Sequence, residues 1–140
     1  DADRALLHDW RIAYRVEIMG DSVNTAAEDA RREIDEWFRD ASHRLLWQGA
    51  QPVALAGINA RMPGLVQIGG VYTPPPLRGR GLARRAVALL LAELRQRQDV
   101  TRAYLFAASD LAARAYTAIG FRPAGQMRLV IFSTPVRVLP

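Results

Sequence analysis

The 140-residue chain contains neither cysteine nor lysine. The absence of cysteine excludes disulfides, thiolate catalysis and cysteine-ligated zinc. The two histidines, His8 and His43, lie in unrelated segments without a carboxylate cluster, so no metal site is predicted. No apolar run approaches the ~20 residues that cross a bilayer, and no secretory leader pattern is present. We therefore expect a cytoplasmic protein without a membrane partner.

All 19 basic residues are arginines, and the net charge is +5. Such a chain can attract nucleic acid or any other polyanion. The arginines are dispersed except between positions 78 and 85, where a phosphorylated small molecule would explain them equally well. Nucleic-acid binding is therefore the less favoured interpretation. At this length we expect one domain with a substantial core.

Hydrophobic spacing predicts two helices within residues 2–42, the first reaching about position 18 and the second starting at a capping box, Thr25 and Glu28. The main part of the domain, residues 44–133, should follow these two helices. Its predicted elements are strands 44–48, 52–60 and 65–73, a helix 79–96, a buried strand 101–107, a helix 111–119 capped by Ser109 or Asp110, and a last β segment from Phe121, strongest at 127–132.

The segment 71–83, VYTPPPLRGRGLA, is the most informative part of the chain. An apolar run stops at three prolines, and an Arg/Gly turn then opens into a helix. Gly79 and Gly81 let the backbone approach an anion closely, and the first N–H groups of the helix would point at that anion. Arg78 and Arg80 add planar charged groups suited to phosphate. The spacing fits neither a Rossmann fingerprint nor a P-loop, and a plain tight corner is the structural alternative.

The order R-x-x-G-x-A at residues 78–83 resembles the pyrophosphate loop of the GNAT superfamily of acetyl-CoA-dependent N-acetyltransferases. Residues 109–121, SDLAARAYTAIGF, resemble the second signature of that family, N-x-x-A-x-x-x-Y-x-x-x-G-F. Ser109 stands where the family usually has asparagine. Tyr116 alone would more often be a packed aromatic with a wet hydroxyl. The two motifs occur in the family order and at about the family spacing.

The resemblance implies an α/β (α+β) fold, in which a mixed, mostly antiparallel sheet is flanked by helices on both faces. It implies a single acetyltransferase domain over residues 1–140. The family normally opens with a strand before its first helix, and that strand is missing here. We therefore expect a shortened chain or the C-terminal part of a longer, tandem acetyltransferase. An exposed sheet edge would then be covered by a homodimer partner or by the missing N-terminal segment.

The resemblance also implies acetyl-CoA as cosubstrate, without a metal, in an opening between strands 65–73 and 101–107. Prolines cannot continue the strand ladder there. Tyr116 would be the catalytic acid that protonates the departing thiolate. The implied cofactor-binding residues are Val71, Tyr72, Thr73, Arg78, Gly79, Arg80, Gly81, Leu82, Ala83, Ser109 and Ala112, with Arg84 or Arg85 as further phosphate partners. A backbone N–H at Val71 or Tyr72 would serve the oxyanion.

The acceptor would be a small-molecule or peptide amine, and the sequence does not show which. Candidates for a general base are Glu17, Asp21 and Glu28, and more weakly His43 and Asp110, although carboxylates of this kind are more often surface or capping residues. Two other functions stay open. One is a non-catalytic CoA-binding regulatory module of a tandem protein, and the other is a basic nucleic-acid-binding domain.

Overall fold

The computed structural model describes residues 2–97 and 100–128. Helix α1 spans Ala2–Tyr14 and continues as a five-residue π-helix, Arg15–Met19. The remaining elements are α2 (Val23–Asp40), β1 (His43–Gln48), β2 (Gln51–Met62), β3 (Leu65–Tyr72), a 3-10 turn (Pro75–Leu77), α3 (Leu82–Arg97), β4 (Arg102–Leu105) and α4 (Asp110–Thr117). The element order agrees with the prediction as far as α4. The predicted last β segment does not form a strand over residues 121–128, and its remainder lies outside the described residues.

The four strands form one mixed sheet in the order β1-β2-β3-β4. The first three are an antiparallel meander, and β4 joins parallel to β3. A parallel neighbour needs a crossover connection, which α3 supplies. The predicted mixed, mostly antiparallel sheet is therefore confirmed. Within residues 2–97 and 100–128 no strand precedes α1 or lies beyond β1, and covering of that edge by a partner stays a prediction.

Helices lie on both faces of the sheet, as predicted. Neighbouring side chains of a strand point to opposite faces. Leu55 of β2 packs with Leu7 of α1, whereas the adjacent Ala54 and Ala56 pack with α3 residues such as Val87. Thus α1 and α2 cover one face and α3 covers the other. The middle of β2 is buried on both faces, which is the pattern of a central strand.

The cap of helix α2 lies three residues before the predicted one, Thr25. Ser22 is the N-cap, and its Oγ accepts a hydrogen bond from the Thr25 N–H at 3.2 Å. The extended backbone of Ser22 places its hydroxyl where it accepts from an N–H that has no acceptor within the helix. The predicted capping box is therefore wrong. Phe38 of α2 is 42% exposed, and the Arg4 guanidinium lies over its ring.

The sequence predicted a first helix reaching about position 18. The structure has regular α-helix only to Tyr14, and residues Arg15–Met19 form the wider π-helix. The widening begins at Arg15, whose guanidinium is buried and ion-paired to carboxylates within α2 and in the turn before it: Asp21, Asp29 and Glu33. The N–H of Gly20, at φ +75°, closes the turn on the Arg15 carbonyl. Single π-helical turns often occur at functional sites. This one carries Glu17 and Ile18 into the cleft described below.

Strand β4 is shorter and less buried than predicted. The expected buried strand 101–107 reduces to Arg102–Leu105, which alternates between exposed and half-buried residues. Within the described part of the chain, β4 pairs on one side only. By contrast, the predicted apolar face of α3 is largely confirmed, since five of its residues are buried: Leu82, Ala86, Val87, Leu90 and Leu94.

Candidate active site

The sheet opens between β3 and β4. Their parallel pairing runs only from Leu65 opposite Arg102 to Ile68 opposite Leu105. Strand β4 ends there, whereas β3 continues to Tyr72. The last four residues of β3 therefore have no β4 partner. The predicted opening is present, and it begins well before the prolines.

A β-bulge bends β3 at this opening. Between the pairs Gly57–Gly69 and Leu55–Tyr72, β3 has one residue more than β2. Gly70 within the bulge has φ +60°, the left-handed conformation that favours glycine. A bulge leaves one backbone unit outside the ladder. The bulge lies beside Val71 and Tyr72, where the sequence suggested a backbone N–H contact to an oxyanion.

A cleft of about 750 Å³ occupies the opening and is bounded by β3, α3, α4 and the end of α1. It brings together the predicted catalytic tyrosine and all eleven implied cofactor-binding residues: Val71, Tyr72, Thr73, Arg78, Gly79, Arg80, Gly81, Leu82, Ala83, Ser109, Ala112 and Tyr116. Of the two further phosphate partners, Arg84 lines the cleft and Arg85 does not. The sequence did not indicate Tyr14, Ile18, Leu77, Leu111, Arg114 or Ala115, which also line it. On α4, helical spacing from Ala112 could have found Ala115, and from Ala115 Leu111. No local spacing marks Tyr14 or Ile18, which reach the cleft from another element.

The predicted phosphate loop has backbone conformations that only glycine adopts easily. Gly79 and Gly81 have φ of +78° and +72°. The N–H of Arg85 donates to the Gly81 carbonyl at 3.1 Å as α3 begins. The first-turn N–H groups of a helix have no acceptor within the helix. They and the helix dipole therefore favour an anion at this end of the cleft.

Four arginines line the cleft, and they differ in what they bind. Arg78 donates from both terminal nitrogens to the Glu17 carboxylate, at 2.6 and 2.7 Å, and from Nε to the Thr73 carbonyl at 2.9 Å. Its guanidinium, predicted for phosphate, thus already has an anionic partner. Arg80, Arg84 and Arg114 form no ion pair within the described residues.

Tyr116 and Ser109 stand on α4, on the other side of the opening. Tyr116 is 9% exposed and packs edge-on against Phe121, with ring centroids 6.1 Å apart. Burial, with a smaller contribution from Tyr14, raises the pKa of its phenol, so the hydroxyl keeps its proton at neutral pH. Ser109 is the N-cap of α4, as predicted, and its Oγ accepts from the Ala112 N–H at 3.2 Å.

The candidate general bases are not free to act in the cleft. Glu17 is ion-paired to Arg78, whose hydrogen bonds lower the pKa of that carboxyl. Asp21 is ion-paired to Arg15, and Glu28 and Asp110 are exposed residues outside the cleft lining. Among the described residues, Glu17 is the only carboxylate in that lining.

His43 lies behind the bulge rather than in the cleft lining. Its ring stacks on Trp37 at 3.7 Å, and its Nδ1 is 2.9 Å from the Ser42 hydroxyl. The two glycines beside it make room, because a Cβ at Gly57 or Gly70 would lie 2.0 or 2.5 Å from the imidazole. Burial, with nearby Arg11 and Arg44, lowers the pKa of His43 to about 3. So weak a base is unsuited to deprotonating an amine.

Two structural findings bear on other kinds of site. Across residues 2–97 and 100–128, no group of three His, Asp or Glu side chains is arranged to hold a metal ion. No helix in the same ranges combines the length and apolarity needed to cross a membrane.

Several solved structures resemble the fold of this chain. A GCN5-related N-acetyltransferase from Ralstonia eutropha JMP134 shares 23% identity over 93% of each chain, with a TM-score of 0.68. A predicted acetyltransferase from Clostridium acetobutylicum, crystallised with acetyl-CoA, shares 20% identity over 93% of this chain and 90% of that one, with a TM-score of 0.69. A GCN5-related N-acetyltransferase from Kribbella flavida shares 24% identity over 78% of this chain and 30% of that one, with a TM-score of 0.58.

At these identities the likeness shows the fold. The search of curated proteins found no match. The profile of the Acetyltransferase (GNAT) family matches residues 5–121, which is most of the chain. The chain therefore belongs to the GNAT acetyltransferase family.

Proposed function

We propose that the protein is an N-acetyltransferase that transfers the acetyl group of acetyl-CoA to an amine by direct attack in a ternary complex. Family membership supports acetyl transfer in general. The proposal depends on the groups that meet at the start of α3. First-turn N–H groups, two glycines with positive φ and two arginines without an ion partner in the described residues, Arg80 and Arg84, meet in one cleft. This combination favours a diphosphate.

Acetyl-CoA, which supplies an activated acetyl thioester, suits this cleft in size and charge. The cleft volume of about 750 Å³ lies within the range of roughly 300–1,000 Å³ for ligand sites. Backbone N–H groups of residues 79–83 would hold the diphosphate, and Arg80 and Arg84 would neutralise it. The edge of β3 that has no β4 partner, at Val71 and Tyr72, and the adjoining Thr73 would pair with the pantetheine amides as an added strand does. Ser109 and Ala112 would line the opposite side.

The chemistry is nucleophilic substitution at the thioester carbonyl. The amine nitrogen forms the new C–N bond and loses a proton, the carbonyl oxygen becomes an oxyanion, and the C–S bond then breaks. A backbone N–H beside the bulge, at Val71 or Tyr72, would stabilise the oxyanion, a contact worth ~3 kcal/mol. The sulfur leaves as a thiol once it has gained a proton.

Tyr116 is the proposed source of that proton. At reference pKa values of ~10 for the phenol and ~8.5 for a thiol, transfer to a finished thiolate is uphill by about 2 kcal/mol. Burial of Tyr116 raises the pKa of its phenol and enlarges this gap. We therefore propose that the phenol donates in the same step in which the C–S bond breaks, so that the proton transfer is coupled to the cleavage.

The acceptor is a small-molecule or peptide amine. Because Glu17 is neutralised by Arg78, we propose that the amine arrives deprotonated or loses its proton to water. A single catalytic domain over residues 1–140 and a cytoplasmic location stay predictions.

Release of CoA thiol in the presence of an amine panel tests the function. A thiol reagent reports product directly, because the protein has no cysteine of its own. We expect acetyl-CoA-dependent thiol release with at least one amine and none without it. Binding of acetyl-CoA without turnover on any amine would instead indicate the non-catalytic CoA-binding module.

A further inference from the structure

The end of α1 and the end of β3 are joined by a contact that the proposed reaction does not use. Glu17 lies in the π-helix after α1, and Arg78 follows the 3-10 turn after β3. The two residues are 61 positions apart and meet through two hydrogen bonds of 2.6 and 2.7 Å. Such a bidentate pair fixes orientation as well as distance.

The guanidinium of Arg78 is held from three sides. Its Nε–H donates to the Thr73 carbonyl at 2.9 Å, so Arg78 is tied to the end of its own strand. Its Cζ lies 5.8 Å from the centroid of the Tyr72 ring, which packs against Trp10 and Tyr14 of α1. Three of the five N–H donors of an arginine are thus engaged within the protein. A phosphate would have to displace Glu17 or use the remaining two.

The backbone that carries the partner residue, Glu17, is also held in place. Glu17 follows Arg15, whose buried guanidinium anchors this turn through Asp21 and Asp29. The carboxylate therefore projects from a fixed backbone, and the next residue, Ile18, lines the cleft.

We propose that Glu17 and Arg78 are positioning residues that hold the α1 wall of the cleft against β3, rather than a base and a phosphate ligand. The diphosphate is then bound by Arg80, Arg84 and the N–H groups at the start of α3, without Arg78. The pair sets how far Tyr14 and Ile18 stand from the opening, and so shapes the acceptor side. This role rests on the proposed function only in naming that side the acceptor side.

Three variants and one matched control test the inference: Glu17→Gln, Arg78→Gln, Arg78→Lys and Arg44→Gln. Lysine keeps the charge that a phosphate needs but lacks the fork that binds a carboxylate and a carbonyl together. Arg44→Gln removes a comparable bidentate pair, with Glu93, that links β1 to α3 and lies outside the cleft lining.

Amide hydrogen exchange and calorimetric affinity for acetyl-CoA are the two main readouts. We expect all three cleft variants to speed exchange at residues 15–21 by about two- to fivefold, the range that exposed ion pairs give. In these three variants, exchange in α3 should not change. In the Arg44→Gln control, exchange at residues 15–21 should match that of the wild-type protein. The acetyl-CoA Kd should change by less than about threefold, below the tenfold or more expected from losing a charged hydrogen bond.

In turnover, the three cleft variants should raise the KM for the amine and keep kcat within about twofold, a split that general destabilisation does not produce. The opposite pattern overturns the inference. In that case Arg78→Gln lowers the affinity for acetyl-CoA tenfold, Arg78→Lys restores the affinity, and Glu17→Gln raises it. Exchange at residues 15–21 is then unchanged in all three variants. If even the wild-type protein does not bind acetyl-CoA, the proposed function fails, while the exchange comparison still decides the role of the pair.

Discussion

Lowering the pH from 7 to 4.5 should destabilise the folded protein mainly through one side chain, His43. Its imidazole is enclosed by Trp37, Gly57 and Gly70, and its Nε2 is buried without a hydrogen-bond partner in the described structure. A proton on this ring would place a charge where water cannot reach it. Burial and the nearby Arg11 and Arg44 therefore hold the pKa of His43 at about 3.

The direction of the effect follows from which state binds the proton first. The unfolded chain has a histidine pKa near ~6.5, whereas the folded value is about 3. The unfolded state therefore takes up the proton first, and stability falls as the pH drops through this window. Linkage gives a loss of about 2.5 kcal/mol between pH 7 and pH 4.5. Glu17 and Glu93, whose carboxyl pKa values are lowered by arginine partners, add their loss mainly below that window.

Urea unfolding followed by tryptophan fluorescence at pH 7, 6, 5 and 4.5 measures this loss. The His43→Gln variant removes the titrating ring, so its free energy of unfolding should fall by only a small fraction of the wild-type amount over the same range. The comparison uses the change with pH, so any constant cost of the substitution cancels. Equal pH dependence in the two proteins would refute the assignment of the effect to a buried, neutral His43.

Three further outcomes follow from the site and the core. Tyr116→Phe should lower kcat by about 100-fold, the lower end for a positioned acid, and leave acetyl-CoA affinity unchanged; unchanged turnover would remove the phenol from the mechanism. Gly81→Val should abolish thermal stabilisation by CoA, because φ +72° excludes a β-branched residue. The control Gly49→Val, at φ +58° with open space around it, should keep that stabilisation despite a similar strain. Leu90→Ala, at a site 2% exposed, should cost about 2–5 kcal/mol in urea unfolding, and a cost below ~1 kcal/mol would contradict the packing of α3.

Local patterns predicted the parts of the fold that local interactions determine. Apolar spacing located α3, because its buried residues recur on one helical face. The glycines at 79 and 81 marked the start of that helix, because their positive φ is a local property of the backbone. The cap of α4 was predicted at Ser109 or Asp110, because a side-chain oxygen before a helix satisfies a nearby N–H, and the structure places it at Ser109.

What the sequence did not reveal depends on contacts between distant segments. The pair Glu17–Arg78 joins residues 61 positions apart. The π-helix depends on Arg15 meeting carboxylates of α2, which no periodicity within α1 encodes. The bulge at Gly70 depends on the register of β2 against β3. The strand predicted at 101–107 looked buried because residues 103–107 are apolar, yet within the described residues β4 has a partner on one side only.

Calorimetric titration of the wild-type protein with acetyl-CoA tests most directly whether the α3 end of the cleft binds a diphosphate. We expect a saturable heat with one site per chain and an affinity that weakens as salt is added, since arginines and a helix terminus attract the phosphates. No heat at saturating protein concentration, or binding that persists unchanged in the Gly81→Val variant, would contradict it.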